Sequence, residues 1–467
     1  MSNFKQVNQH QIMIKYTPFL LVLSLFLFLP VNAQNIYRTA CQGNMARLDS
    51  LLATVDINTQ DNRGRSLLHW AVGCDKKQMF EHLLDKGISP NLQDNEGATP
   101  LYMAVRFQNM HFFNRLWPQQ SDPNWKTQQG GAFFEKAILN RDLTFVQKLV
   151  EVGIPIDVVN GKGSTPLEIA LRIEADSIAN WLKAHGANMD LVRSFIVEGP
   201  YLGQEPPGNE AKVFAPNVIS TEEYEFGSVF NKAGNAFYYG VDLGGRNVIR
   251  SSELKNNVWS KPKTILSHAR YGYNDPFLSP DENRLYFISN QALDGQGEPK
   301  DIDIWYVERK DGGWSEPMNA GPNINSKGEE YYISFTKEGT IYFASDKNQS
   351  HHDIYYSNFV EGKFQEAVKM GGAINTQAYE ADVFVDPNED YLIFCAQREG
   401  GLGRGDLYIS FKGEDGSWSP SINMGETINT EHHELCPFVT ADGKYLFFTS
   451  QQDIYWASTD IIETLRN

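Results

Sequence analysis

The pattern of hydrophobic and polar positions divides the chain into distinct regions. Residues 18–30 form one uninterrupted apolar run, PFLLVLSLFLFLP. From 35 to 192, apolar residues recur at helical spacing, as in KKQMFEHLLD. From 211 to 460, short alternating runs such as RLYFIS and YLFFTS follow turn-forming stretches such as SPDEN and TADG. These patterns predict an all-α region followed by an all-β region. The Pro- and Gly-rich stretch 193–210 between them is interpreted as a linker.

The all-α region repeats itself every 33 residues. Segments that begin at Asp61, Asp94, Thr127 and Asn160 open with DNRGRSLLHWAV, DNEGATPLYMAV, TQQGGAFFEKAI and NGKGSTPLEIAL. Each opening leads into two stretches of helical periodicity separated by a turn. In the second and fourth segments a threonine precedes a proline, which suits a helix N-cap followed by the first helical position. One helix pair cannot bury its own apolar face, so the units are predicted to stack into a solenoid.

The fixed period and the Gly, Thr-Pro-Leu pattern resemble the ankyrin repeat. The residues that carry the resemblance are Gly97, Thr99, Pro100, Leu101 and Ala104, with Gly163, Thr165, Pro166, Leu167 and Ala170. With a shorter unit in front, the resemblance implies about five units. The third segment, GGAFFEKA, departs most from the family, and we still expect it to stack. Ankyrin arrays are binding modules as a class, so the resemblance implies a binding function; a rigid brace is the alternative.

The all-β region is built from a unit of roughly fifty residues that recurs five times. Each unit consists of strand, turn, strand, loop, strand, turn and strand. The units begin near Glu225, Tyr273, Glu330, Glu380 and Glu434. Third strands such as DIDIWYV and RGDLYIS lead into WSKP, WSEP or WSPS, and FQEA replaces this motif once. Four short antiparallel strands per unit, repeated radially, are typical of a β-propeller.

These motifs resemble the TolB-type, tryptophan–aspartate-like propeller repeats of exported bacterial proteins. The resemblance covers about 250 residues and rests on SPDENRLYFIS, DIDIWY, WSEP, GPNINS and GGLGRGDLYIS. Because the unit recurs five times in this sequence, we predict a propeller of five blades. We expect the repeated tryptophans Trp259, Trp314 and Trp418 to pack between blades, and an aromatic binding face is the alternative.

The fifth unit of the propeller region is incomplete. It stops after its third strand, DIYWASTD, and the stretch AKVFAPNVISTEEYE in front of the first unit resembles the missing piece. There the triplet IST precedes Glu225 by the same distance as INT precedes Glu434. We therefore predict that residues 211–216 form the outer strand of the last blade and close the ring. Closure removes exposed strand edges that favour aggregation.

The first 33 residues have the pattern of a secretory signal peptide. Lys5 and Lys15 precede the apolar run, and Val31 and Ala33 are small residues suited to cleavage after Ala33. An uncleaved membrane anchor is the alternative. Loss of the two lysines changes the formal charge from −17 to −19, which disfavours nucleic acid and anionic membrane surfaces as partners. The sequence predicts an exported protein of the periplasm or cell surface, without membrane insertion after cleavage.

The four cysteines are predicted to be free, buried thiols. Cys41 and Cys74 fall in neighbouring helical units, and Cys395 and Cys436 fall in neighbouring blades. Export permits disulfides. Stacked units lie about 10 Å apart, however, and a disulfide needs Cα atoms within roughly 7 Å. Pairing within either couple is the alternative.

One position just before the innermost strand holds glutamate in four blades. These candidate ligand-binding residues are Glu225, Glu330, Glu380 and Glu434, and the second blade has Tyr273 there. If they face the central channel, they form an acidic mouth to which Asp275 and Asp382 would add. Such a mouth would suit a divalent cation or the hydroxyls of a sugar. In the alternative interpretation, each glutamate bonds the backbone of a neighbouring blade.

The sequence favours a non-enzymatic function without a cofactor. Glycosidases need carboxylates in unlike environments, whereas a repeated glutamate predicts similar surroundings. We therefore expect a binding or scaffolding protein of the bacterial envelope that recognises a protein or a glycan through either region. The alternative is a glycan-active or divalent-cation-dependent hydrolase that uses the channel carboxylates.

Overall fold

The computed structural model describes residues 31–122, 124–193, 196–347 and 351–466, with side chains from residue 36 onward. The chain divides into two compact units on either side of the Arg193–Ser194 bond. Apart from its last three residues, which begin the first helix, the predicted signal peptide lies outside the described residues. Within those ranges no helix has the length and apolarity needed to cross a membrane.

The first unit is a series of paired helices whose starts follow the threonine–proline pattern. The Thr99 hydroxyl accepts a hydrogen bond from the Tyr102 amide at 3.2 Å, and Pro100 occupies the first helical position. Thr165 caps the amide of Glu168 in the same way. The α-helices are α1 (Val31–Gln42), α2 (Met45–Leu52), α3 (Leu67–Gly73), α4 (Lys77–Asp85), α5 (Pro100–Arg106), α6 (Met110–Leu116), α7 (Trp125–Gln128), α8 (Gly130–Leu139), α9 (Leu143–Glu151), α10 (Pro166–Arg172) and α11 (Asp176–Ala184). Short 3-10 helices lie at Trp117–Gln119 and Met189–Leu191.

The helix pairs stack on one continuous apolar core, as the ankyrin resemblance implies. Each of the four segments contributes fully buried side chains, for example Leu68, Phe113, Phe134 and Ile169. The third segment stacks with the others, although it lacks the Thr-Pro-Leu motif. A Cβ atom on Gly131 would lie 2.1 Å from the Val159 carbonyl oxygen, so glycine permits the close approach of the next segment. The predicted ankyrin-type solenoid is confirmed.

The prediction that all four cysteines are free is wrong for one couple. Cys41 and Cys74 form a disulfide with a Cα–Cα distance of 5.3 Å. Cys41 is the penultimate residue of α1, and Cys74 directly follows α3. The spacing of about 10 Å describes packed layers in general, whereas the C-terminal ends of these two helices come much closer together. Cys395 and Cys436 are free and buried, as predicted.

The second unit is a five-bladed β-propeller, which confirms the predicted fold class. Every blade is an antiparallel sheet whose first three strands pair in chain order. The strands of blades 1 and 2 are β2 (Tyr224–Phe230), β3 (Ala236–Asp242), β4 (Asn247–Lys255), β5 (Val258–Trp259), β6 (Lys263–Leu266), β7 (Tyr273–Leu278), β8 (Arg284–Ser289), β9 (Asp303–Lys310), β10 (Gly313–Trp314) and β11 (Met318–Asn319).

Blade 3 differs from its neighbours because its third strand is followed by a separate two-stranded hairpin, β15–β16. The strands of blade 3 are β12 (Glu330–Phe335), β13 (Ile341–Ser345), β14 (Asp353–Ser357), β15 (Phe359–Val360), β16 (Lys363–Phe364) and β17 (Val368–Lys369). Those of blades 4 and 5 are β18 (Tyr379–Val385), β19 (Tyr391–Gln397), β20 (Asp406–Phe411), β21 (Ile422–Asn423), β22 (Leu435–Val439), β23 (Tyr445–Ser450) and β24 (Asp453–Ser458). Helix α12 (Asp460–Arg466) follows, and its Ile462 is buried in the propeller core.

The ring closes at the predicted place. Strand β1 (Lys212–Val213) pairs antiparallel with β24, and Lys212 lies opposite Trp456. The next residue, Phe214, donates its amide to the Ile454 carbonyl at 2.7 Å. Its ring lies 4.9 Å from that of Phe447 and 5.2 Å from that of Trp456. The last blade therefore takes its outer strand from the start of the propeller region.

The stretch 193–210, interpreted as a linker, is largely part of the propeller. The Val197 carbonyl accepts the Trp259 amide at 2.8 Å, and the Gly199 carbonyl accepts the indole Nε1–H of Trp259 at 2.7 Å. A 3-10 helix at Pro200–Gly203 follows, in which Leu202 is fully buried in the propeller core. Val197, Tyr201 and Leu202 pack in or against the propeller core and fix this stretch to the blades.

Candidate functional site

Each innermost strand carries a β-bulge two residues after the repeated glutamate position. The register with the second strand shifts there in all five blades. The residues at the bulge have left-handed φ angles between 45° and 53°. They are Gly227, Asp275, Tyr332, Asp382 and Cys436, and we call them the axial layer. Bulges re-aim side chains, and here they do so at the same level of every blade.

Contacts within the axial layer cross the centre of the ring. The Cys436 thiol lies 3.6 Å from Asp275 Oδ1, and Tyr332 Oη donates to the Pro437 carbonyl at 2.9 Å. The first contact joins blade 5 to blade 2, and the second joins blade 3 to blade 5. Neither contact is between neighbouring blades of the ring. Blade 1 permits this because a Cβ atom on Gly227 would lie 2.5 Å from Asp275 Oδ1. Side chains thus fill the axis at this level.

The carboxyl groups of the axial layer are easily protonated. Burial raises the pKa of Asp275 to about 8, and the nearby Asp382 carboxyl adds to the shift. Burial raises the pKa of Asp382 to about 7, against a lowering by the Cys436 backbone amide. Burial, with help from both aspartates, also raises the pKa of the Cys436 thiol. Near neutral pH the layer therefore holds protons and is joined by hydrogen bonds more than by charge.

The four predicted glutamates lie in separate places, each at the start of the first strand of its own blade, where it bonds the crossover that leads into that blade. In blade 5, Glu434 accepts hydrogen bonds from the Thr430 amide at 3.2 Å, the Thr430 hydroxyl at 2.7 Å and the Ser450 hydroxyl at 2.8 Å. The other three carboxylates accept the same amide and hydroxyl pair from the residue four positions earlier. Those pairs are Thr221 with Glu225, Ser326 with Glu330, and Thr376 with Glu380.

The backbone of each glutamate joins its blade to the preceding one. Its amide donates to the carbonyl of the residue that precedes the third strand of the neighbouring blade, at 2.9–3.1 Å. The pairs are Glu225 with Gln452, Glu330 with Ile302, Glu380 with His352, and Glu434 with Gly405. This agrees with the interpretation of the glutamates as joints between blades. The structure places Asp275 and Asp382 together at the axis. Ligand binding by the four glutamates and these two aspartates stays a prediction.

The described part of the propeller surface includes two clefts that bear on function. One, of about 430 Å³, is lined by Glu434 together with Glu210, Glu426 and Tyr455. The other, of about 570 Å³, lies between blades 2 and 3, at residues that the sequence did not single out. Its only sequence signal is the FQEA stretch that replaces a tryptophan motif. In the part of the chain that the structure describes, no three or more His, Cys, Asp or Glu side chains are grouped to hold a metal ion.

A helical solenoid followed by a β-propeller defines a multidomain repeat protein, a class that suggests a scaffold for protein interactions. The family model for ankyrin repeats matches residues 36–127 in three copies. Ankyrin repeats imply protein–protein interaction in general. Comparison of the sequence with curated proteins gives no significant match.

Proposed function

We propose that this chain is an exported, non-enzymatic recognition protein of the bacterial envelope whose ankyrin unit binds another protein. The observation that supports it most is the ankyrin array itself, which presents an apolar surface between successive first helices. Recognition of a glycan, the other partner class predicted from the sequence, is an outcome that the experiment below distinguishes.

This apolar surface, the ankyrin patch, consists of Gly73, Met103 and Phe107. A Cβ atom on Gly73 would lie 3.5 Å from Met103 Cε and 4.0 Å from Phe107 Cε2, so both side chains cover the end of α3. Phe107 is 38% exposed. A large exposed aromatic side chain beside a flexible methionine is typical of an anchor for a protein partner.

Export is supported by the cysteines and by the propeller motifs. Disulfides form and persist in oxidising compartments and are rare in the cytosol. The pair Cys41–Cys74 therefore favours a location outside the cytoplasm. The resemblance to TolB-type repeats favours the same location.

A non-enzymatic role is supported by the use that the propeller makes of its carboxylates. Glu225, Glu330, Glu380 and Glu434 hold crossovers, and all four are fully buried. A glycosidase needs two carboxyl groups that flank a bound sugar at about 5–9.5 Å. Of the six predicted ligand-binding residues, Asp275 and Asp382 are the two that remain. Tyr332 and Cys436 occupy the axis beside these two carboxyl groups, where a sugar would have to lie.

The test compares partner capture by three versions of the full chain. The variant Phe107→Glu places a charge in the ankyrin patch, and Leu293→Glu makes the same change at a 70% exposed residue of the propeller. Each is cross-linked to envelope fractions, and captured proteins are quantified by mass spectrometry. We expect the wild type and Leu293→Glu to capture the same protein and Phe107→Glu to lose it. Equal capture by Phe107→Glu, or capture of glycan alone, contradicts the proposal.

A further inference from the structure

Tryptophan fills the seam between blades 1 and 2 of the propeller. Trp314 of blade 2 lies edge-on against Tyr238 in the second strand of blade 1, with ring centroids 6.2 Å apart. Trp314 pairs with Arg309, whose guanidinium lies 4.5 Å from the centroid of the indole ring. The seam is thus closed by an indole ring with a cation on its face.

The seam between blades 3 and 4 has the same construction. Trp418 packs against the apolar cluster that contains Tyr342 of blade 3. Trp418 forms an antiparallel β-bridge with Lys412, whose Nζ lies 5.5 Å from the indole centroid. Arg309 and Lys412 each stand six residues after the aspartate that starts the third strand, Asp303 or Asp406. The two seams therefore repeat one pairing of an indole ring with a cation.

The seam between blades 2 and 3 has phenylalanine at both positions that the sister seams give to the indole and its paired cation. Phe359, six residues after Asp353, stands where blades 2 and 4 have arginine or lysine, and it pairs with Phe364. Phe364 takes the place of tryptophan and lies 6.3 Å from the ring of Tyr286 in blade 2. The cavity of about 570 Å³ lies at this seam, and Phe364 is part of its lining.

We propose that this cavity, the blade 2–3 pocket, binds an aromatic side chain presented by a partner protein. The proposal rests on the proposed function and adds the chemistry of a second contact. The pocket has an aromatic floor of Tyr286, Phe335 and Phe364, and Phe359 is its exposed edge. Its volume lies within the range of about 300–1,000 Å³ that ligand sites have. The two sister seams show which group fits this geometry, since each holds an indole ring.

The charges around the pocket are complementary to an aromatic ring. Arg284 is part of the lining, with its guanidinium 4.7 Å from the Tyr306 ring centroid, and it provides a cation for the negative face of a ring. Glu338 and Asp281 in the same lining provide acceptors for an indole N–H. The ankyrin unit contains the same combination, because Trp70 donates Nε1–H to Asp61 at 3.0 Å while the Arg65 guanidinium lies 4.5 Å from its ring centroid.

The variant Phe364→Trp tests the proposal because it restores the residue of the sister seams and fills the pocket. The matched control is Leu293→Trp, which adds a tryptophan at an exposed position outside the pocket lining. Binding of N-acetyltryptophanamide and of the peptide Gly-Gly-Trp-Gly-Gly-amide is measured on the full chain by saturation-transfer NMR, with N-acetylglucosamine as a second probe. We expect the wild type and Leu293→Trp to bind both tryptophan probes equally, and Phe364→Trp to bind them at least about tenfold more weakly. Phe364→Trp should also melt at a higher temperature, since filling a cavity stabilises a fold.

Several results would overturn the proposal. They are equal binding by Phe364→Trp, binding of N-acetylglucosamine in place of the tryptophan probes, and binding of the free amide with exclusion of the peptide. If Phe364→Trp does not fold, Arg284→Gln replaces it, with an expected loss of about two- to fivefold. Failure here leaves the proposed function standing if Phe107→Glu still abolishes partner capture, so the two outcomes are distinguishable.

Discussion

Both units are built from repeats that cannot bury their apolar faces alone, but their repeats are tied together over very different distances. In the ankyrin unit, polar ties join residues 33 or 34 positions apart, such as Asn95 with Asn62 and Arg115 with Glu81. The propeller also joins its first crossover to its last blade, where the Ser220 hydroxyl donates to the Ile454 carbonyl across 234 positions. In the described part of the ankyrin unit these ties join neighbouring segments, whereas the propeller returns to its start.

This difference should determine how each unit responds to damage. In an array of nearest-neighbour contacts, stability is approximately a sum of local terms, so a defect stays local. In a closed ring, opening one seam exposes two sheet edges and weakens every other seam. Substitutions in one unit or the other test this contrast.

Opening the ring should have the largest effect. Phe214 is fully buried at the closing seam, in contact with Phe447 and Trp456. Phe214→Ala should lower the free energy of unfolding of the propeller by about 3–5 kcal/mol, the usual cost of removing a buried phenyl ring. Urea denaturation followed by tryptophan fluorescence measures this loss. The control Phe359→Ala, at a 37% exposed ring, should change the free energy by less than about 0.5 kcal/mol. Similar losses for the two variants would show that the closing seam contributes no more to the stability of the propeller than an exposed ring does.

Removing the disulfide should have the next largest effect, confined to the ankyrin unit. Cys41 and Cys74 are 33 positions apart, and a crosslink of this loop length stabilises a fold by about 2–4 kcal/mol. The double variant Cys41→Ser, Cys74→Ser should lose this amount in the unfolding transition of the helices, followed by circular dichroism at 222 nm. The propeller transition should stay unchanged. A reducing agent should reproduce the loss in the wild type and have no effect on the variant.

The sequence predicted the architecture well because the architecture is repetitive. The local signals recur from repeat to repeat: a period of 33 residues, a capping threonine before a proline, and alternating strands. Ring closure was also predictable, since the IST triplet before Glu225 matches the INT triplet before Glu434. The pairing of β1 with β24 confirms this inference from a missing piece.

The site was less predictable because it depends on where backbones converge. The spacing of repeats gave no sign that the ends of α1 and α3 approach to 5.3 Å, so the disulfide was missed. The bulges that place Asp275 and Asp382 at the axis leave no mark in a pattern of alternating residues. The repeated glutamates were the visible signal, and their hydrogen bonds to crossovers explain why they repeat.

Raising the pH should weaken the propeller. Burial raises the pKa values of four carboxyl groups to about 7 or 8, those of Asp275, Asp382, Glu225 and Glu330. The unfolded chain releases these protons near pH 4, so the folded state binds more protons between pH 4 and 8. Stability from these groups is therefore complete at low pH and is lost as the pH rises through 7–8. Urea midpoints measured from pH 6 to 9 should decrease, and Asp275→Asn, which stays neutral, should reduce the slope. A flat profile in the wild type would contradict the protonated axial layer.

The smallest effect should come from a tie between neighbouring ankyrin units. Arg115 donates to Glu81 through Nε at 3.0 Å and through Nη2 at 2.7 Å, but both side chains are substantially exposed. Solvent screening limits such surface pairs to about 0.2–1 kcal/mol. Glu81→Gln should therefore lower the unfolding free energy of the ankyrin unit by no more than this, and 1 M salt should remove the difference from the wild type because it screens exposed charges. The double variant Glu81→Gln, Arg115→Gln completes a mutant cycle that isolates the pair. A coupling above about 2 kcal/mol would mean that polar surface contacts hold the solenoid together as strongly as its core does. The difference between the solenoid and the closed ring would then be smaller than the contacts indicate.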